Sequence, residues 1–84
     1  MVLYAFTFRS MTAAQSARSI LTRAGIRAEV RRAMTQASDS GCAWMVAVSG
    51  SSGRRAAAVL RTWQRPFGRV FRQLPGGGWE ETAL

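Results

Sequence analysis

Cys42 is the only thiol in the chain and its one strong nucleophile. Ser38-Asp39-Ser40-Gly41 precedes it, and Ala43-Trp44-Met45-Val46-Ala47-Val48 follows. The first stretch consists of small or acidic loop formers, and glycine admits turns closed to other residues. The second stretch, with Cys42, is the longest apolar run. A cysteine at such a junction has two chemistries. It packs as a small buried hydrophobe, as free cysteines commonly do, or it stands open as a thiolate that attacks and is attacked at sulfur. Gly41 would leave the approach open, and Ser40 could hydrogen-bond an anion. Arg31 and Arg32 would stabilise the thiolate or dock an acidic partner, since guanidinium groups match carboxylates and lower nearby thiol pKa values.

Other catalytic chemistries lack their residues. The chain has no histidine and four acids, so it offers no imidazole base and no Ser-His-Asp arrangement. One cysteine with four acids does not build a zinc site. Gly76-Gly77-Gly78 lacks the strand-to-helix context of a phosphate loop. No metal and no cofactor is expected, and whether the chain is an enzyme stays open.

The charge of +8 over 84 residues comes entirely from arginine, twelve of them with no lysine. A GC-rich genome accounts for the arginine bias without any function. The charge still favours anionic partners: nucleic acid, phosphates or acidic proteins. A single cysteine forms no intrachain disulfide, which suits a reducing compartment. No apolar run nears the roughly 18 residues of a membrane span. Met1-Val2-Leu3-Tyr4 does not open a secretory leader. The expected location is cytoplasmic.

Six elements position these residues. Val2 to Phe8 alternates as a strand, with Tyr4, Phe6 and Phe8 on one face and Leu3, Ala5 and Thr7 on the other. Ser10 or Thr12 caps a helix whose stripe is Ala13, Ala17, Ile20, Leu21 and Ala24, and Gly25 ends it. Ile26 to Met34 is a second strand with one wet face. Thr35 to Gly41 is a loop, and Cys42 to Val48 a central strand. After the Gly50-Ser51-Ser52-Gly53 turn, with Ser51 or Ser52 as cap, Ala56, Val59, Leu60 and Trp63 mark the inner face of a second helix that Pro66 stops. Arg69 to Leu74 is a last strand, Pro75 to Gly78 a turn, and the tail after about residue 79 is expected to be mobile.

This β-α-β-β-α-β order predicts one α+β domain over residues 1–84, a ferredoxin-like sandwich. It would have an antiparallel four-stranded sheet with two helices on one face. The first and third strands would be central and parallel to each other. Arg23 and Arg65 would join Arg31 and Arg32 near Cys42. Both helix C-termini would lie at that same edge, opposing a thiolate and giving Arg23 and Arg65 a structural role there.

Together these residues resemble the selenium/sulfur carrier protein-like family of small bacterial domains. Thr7-Phe8-Arg9-Ser10, Ala14, Leu21, Gly25 and Ile26 are similar to the family's first strand and helix. Ser38 to Cys42 resembles its serine-glycine-cysteine loop, and Gly77-Gly78-Trp79-Glu80-Glu81 its glycine, aromatic, acidic ending. The chain departs from the pattern at Ala43, where the family carries glycine, and at Arg18 and Met34-Thr35. The resemblance implies that Cys42 carries sulfur or selenium as a persulfide or selenosulfide, between donor and acceptor proteins. Two alternatives belong to other classes. One is an arginine-rich nucleic-acid-binding module with Tyr4, Phe6, Phe8 and Trp44 as stacking aromatics. The other is a non-catalytic interaction domain, a homodimer through a sheet face bearing Leu3, Ala5 and Val46 or Val48.

Overall fold

The computed structural model describes residues 2–33 and 43–84. Among them are two helices and an antiparallel sheet of five strands: β1 (Leu3–Phe8), α1 (Met11–Arg23), β2 (Ala28–Arg32), β3 (Trp44–Ser49), α2 (Gly53–Thr62), β4 (Val70–Gln73) and β5 (Trp79–Thr82). The strand order is β2-β3-β1-β4-β5. β1 and β3 are central, but they run antiparallel, with Leu3 opposite Ser49 and Phe8 opposite Trp44. The expectation of a parallel central pair fails for a topological reason. Each helix links two parallel strands that are not neighbours: β1 and β2 flank β3, and β3 and β4 flank β1.

In place of the expected tail, the structure has β5 as a fifth strand on β4, with Arg72 opposite Glu80 and Phe71 opposite Glu81. Ion pairs Arg72–Glu80 at 2.9 Å and Arg69–Glu81 at 2.6 Å cross this hairpin. The anticipated strand limits also shift. β2 starts at Ala28, and Ile26 is a buried residue ahead of it.

Both helices pack on one sheet face. The core there joins Phe6, Phe8, Val46, Val48 and Val70 to Ala14, Ala17, Leu21, Ala56, Ala57 and Leu60. The helices contribute mainly small residues, so the sheet's large side chains fill the gap. Gly53, the first residue of α2, shows how close the layers come. A Cβ there would lie 2.5 Å from Tyr4 Cδ2. Its backbone is right-handed, with φ −57°, so the constraint is space.

Ser10 caps α1 by accepting a bond from the Ala13 N–H. Neither Ser51 nor Ser52 makes a side-chain cap for α2. Ser49 hydrogen-bonds to both instead, in a short 3₁₀ turn over Gly50–Ser52. At the end of α1 the Ile26 N–H bonds the Leu21 carbonyl and the Gly25 N–H that of Thr22. This Schellman closure needs a left-handed residue, and Gly25 has φ +83°. α2 closes in the same way, Arg65 N–H to Leu60 O and Gln64 N–H to Arg61 O. There the left-handed residue is Gln64, with φ +54°.

Thr7 is fully buried in β1. Its carbonyl accepts from the Gly68 N–H, so its hydroxyl takes over at Arg69, accepting the Arg69 N–H at 2.7 Å. That ties the 66–69 loop to the end of β1.

Two outcomes follow from this packing. Gly53→Ala destabilises the chain by about 1–3 kcal/mol, the usual scale of overpacking, measured by urea unfolding. Gln64→Gly stabilises it by roughly 0.5–1 kcal/mol in the same assay, because a non-glycine left-handed residue costs about 1–2 kcal/mol and glycine returns part of that gain as chain entropy.

Candidate functional site

Cys42, Ser40 and Gly41 lie outside the described residues. Their described neighbours Ala33 and Ala43 are joined by an Ala33 N–H to Ala43 O bond of 3.0 Å. The pair extends the β2–β3 ladder past Arg32–Trp44, at the sheet end where β1 finishes at Phe8. Three residues further on α1 begins. This end therefore holds the start of α1 and the finish of α2. The expectation that both helix C-termini gather there is corrected: the two dipoles present opposite signs.

The structure does not bring the four predicted arginines together. Arg31 and Arg32 are successive strand residues, and the pleat sends them to opposite faces. Arg32 lies with Trp44 on the helix side, its guanidinium 5.0 Å from the indole centroid. Arg31 lies opposite Met45 on the other face and pairs with Glu29 at 3.2 Å. Arg23, in the last turn of α1, stands at the far end of the sheet, because α1 runs antiparallel to β1. Arg65 is at the near end, but its Nε donates to Ser16 Oγ at 2.9 Å and its Nη1 to the Trp63 carbonyl at 3.0 Å. That second bond is the helix C-terminal role weighed for Arg65. At the end of α1 the same role falls to Arg55, which donates to the Ala24 carbonyl.

Sequence reasoning missed a cleft of about 320 Å³ at the near end, lined by Phe8, Arg9, Ala13, Pro66 and Phe67 among others. Its far wall comes from the loop after α2, more than 50 residues along the chain, and Pro66 signals only a helix stop. Phe67 stands edge-on to Phe6, ring centroids 4.9 Å apart.

The aromatics proposed as a stacking platform are core. Phe6 and Phe8 are buried beneath the helices, and Tyr4 and Trp44 pack against them. The apolar face proposed for a dimer also changes. Val46 and Val48 face the helices, so the opposite face carries Leu3, Ala5, Met45, Ala47 and Phe71. All of these but Leu3 are buried. The exposed large hydrophobics among the described residues are Val2, Met11 and Trp63. Among the described residues no group of three His, Cys, Asp or Glu side chains could hold a metal. No helix there is long and apolar enough to cross a membrane.

Arg31 lowers the Glu29 pKa from its ordinary value, chiefly by donating a hydrogen bond to it and secondly by its charge. Arg69 does the same for Glu81, again chiefly by hydrogen bond. Each carboxylate thus engages one arginine of the sheet region.

Comparison with protein-family models, curated proteins and solved structures finds no match to this chain.

The Glu29 shift is directly testable. A folded pKa below the unfolded one gives stability that is present above the ordinary carboxylate range and is lost as pH falls through the depressed value. Arg31→Gln raises the Glu29 pKa back towards its ordinary value and removes that pH-dependent loss. Carboxyl ¹³C NMR titration of wild type and variant measures it.

Proposed function

We propose that the chain is a sulfur or selenium carrier, with Cys42 as the atom's acceptor and donor. The thiolate of Cys42 attacks the terminal sulfur of a persulfide on a donor protein. A new S–S bond forms at Cys42, the donor's S–S bond breaks, and the donor leaves as a thiolate. Attack by an acceptor's nucleophile on that terminal sulfur returns the Cys42 thiolate. Selenium transfers by the same exchange through a selenosulfide.

What supports this reading is that the chain's only thiol directly precedes Ala43 in sequence, and Ala43 lies at a sheet end that carries arginines. Ala33 and Ala43, the described residues flanking 34–42, stand where α1 begins. α2 finishes at the same end, so the two helix dipoles offset each other there, and the positive setting that lowers a thiol pKa comes from arginine. Exposed Arg9 and Arg32 belong to the same end. Arg32 is the arginine we assign to partner docking, since Glu29 engages Arg31. Ser40 and Gly41 keep their proposed roles, a hydrogen bond to the anion and an open approach.

In the same reading the strand order β2-β3-β1-β4 with two helices on one face is a ferredoxin-like plan, to which β5 adds an edge. The location is cytoplasmic, where thiols stay reduced.

Incubation with a cysteine desulfurase and cysteine, followed by intact mass measurement, tests the proposal. One added sulfur on wild type and none on Cys42→Ser is the expected result. No addition to wild type, or equal addition to the variant, overturns it.

A further inference from the structure

The charges are unevenly divided between the layers. Glu29, Glu80 and Glu81 lie in β2 and β5, and each holds an arginine. α1 and α2 carry Arg18, Arg23, Arg54, Arg55 and Arg61 and no acid. The helical layer is therefore positive throughout, while the sheet is close to balanced.

Within that layer the groove between α1 and α2 has a specific make-up. Trp63, at the C-cap of α2, was expected on the inner face but is 59% exposed. It forms one wall of a hollow of about 130 Å³ with Ile20, Arg23 and Ala24. Arg55 closes one end of the groove, held on the Ala24 carbonyl. Arg65 closes the other, held on Ser16 and on the Trp63 carbonyl. The left-handed turn at Gln64 separates Trp63 from Arg65. An exposed indole thus lies in a line of guanidinium groups with no carboxylate on either helix.

We infer that this α1–α2 groove binds single-stranded nucleic acid, with one base stacked on Trp63 and backbone phosphates on Arg23 and Arg55. The hollow is smaller than the roughly 300–1,000 Å³ of a small-molecule pocket, so the ligand lies along the surface. Charge complementarity selects a polyanion. The indole then selects among polyanions, since every base offers a π face to an aromatic ring. An acidic peptide would satisfy the arginines and leave the indole without a planar partner. A duplex keeps its bases stacked inside. The groove runs from Ala24 and Arg55 to Ser16 and Arg65, and its occupancy does not depend on sulfur chemistry.

The test is fluorescence anisotropy of a fluorescein-labelled, mixed-sequence single-stranded RNA titrated with the full chain. Two single-strand phosphate contacts give a log–log salt slope of about −1.4, so Kd rises roughly sevenfold between about 50 and 200 mM salt. Trp63→Ala weakens binding by roughly tenfold or more, the scale of one lost stacking contact, and Trp63→Phe keeps most of it. Arg23→Gln, at an exposed position, reduces the slope by about 0.7. Far-UV circular dichroism confirms that each variant is folded. Four results overturn the inference: no binding at about 50 mM salt, equal affinity of Trp63→Ala and Trp63→Phe, an unchanged slope in Arg23→Gln, or competition by poly-glutamate as strong as by unlabelled RNA. The last would reassign the groove to an acidic protein partner.

Discussion

The close approach of small helix residues to the aromatic face of β1 governs the rest of the structure. Tyr4, Phe6 and Phe8 point into the helical layer, and Gly53, Ala56, Ala57, Ala14 and Ala17 meet them. An 84-residue chain hides a limited share of its unfolded surface, so it gains most by letting three rings fill a thin interlayer. Several features follow from that. α2 must begin with glycine at the level of Tyr4. Its capping serines move out into a 3₁₀ turn. The helix is ten residues long, which leaves Trp63 past its last turn and off its inner face.

The sheet edges are managed by arginine. In the β2–β3 ladder the Ala33–Ala43 bond sets the alternation, so Ala28, Val30 and Arg32 turn their backbone groups to the open edge. Arg18 reaches from α1 and donates to the Ala28 carbonyl at 3.2 Å, covering part of an edge that would otherwise invite another strand. On the other side the Arg72–Glu80 and Arg69–Glu81 pairs hold β5 against β4. Exposed pairs of this kind stabilise little singly, but they set which residues of the hairpin stand opposite each other. Arginine is therefore used structurally in the sheet before any partner is considered.

Local pattern carried part of this. The alternation of Tyr4, Phe6 and Phe8, the Ser10 cap and Gly25 were legible because each is decided within a few residues. The fifth strand was not. Trp79–Thr82 is short and follows three glycines, and of its partners Arg72 sits in another strand and Arg69 just ahead of that strand. Trp63 misled because it continues the helical spacing of Ala56 and Val59 at the position where the helix has already ended. The gathering of Arg23, Arg31, Arg32 and Arg65 failed for geometric reasons. Adjacent strand residues diverge at the pleat, and α1 carries its last turn away from the start of β3. Of the predicted site only Arg31 and Arg32 fall among the described residues, so the thiol itself rests on sequence chemistry.

An all-positive helical layer is compatible with folding only if its charges avoid one another, and they do. Arg18 and Arg23 are five apart, Arg54 and Arg61 seven, Arg55 and Arg61 six. No pair stands at the three- or four-residue spacing where like charges on a helix repel directly. The arginines therefore burden the helices lightly, and their number alone says nothing about a ligand, because base composition explains number. Base composition does not explain sorting. The same arginine-rich sequence places its described acids in the strands, against arginines, and leaves both helices without one. Sorting of this kind produces a field on one layer, and a field on one layer directs an approaching polyanion to that layer. The exposed indole in the groove then supplies what the field lacks, a contact that distinguishes bases from other anions.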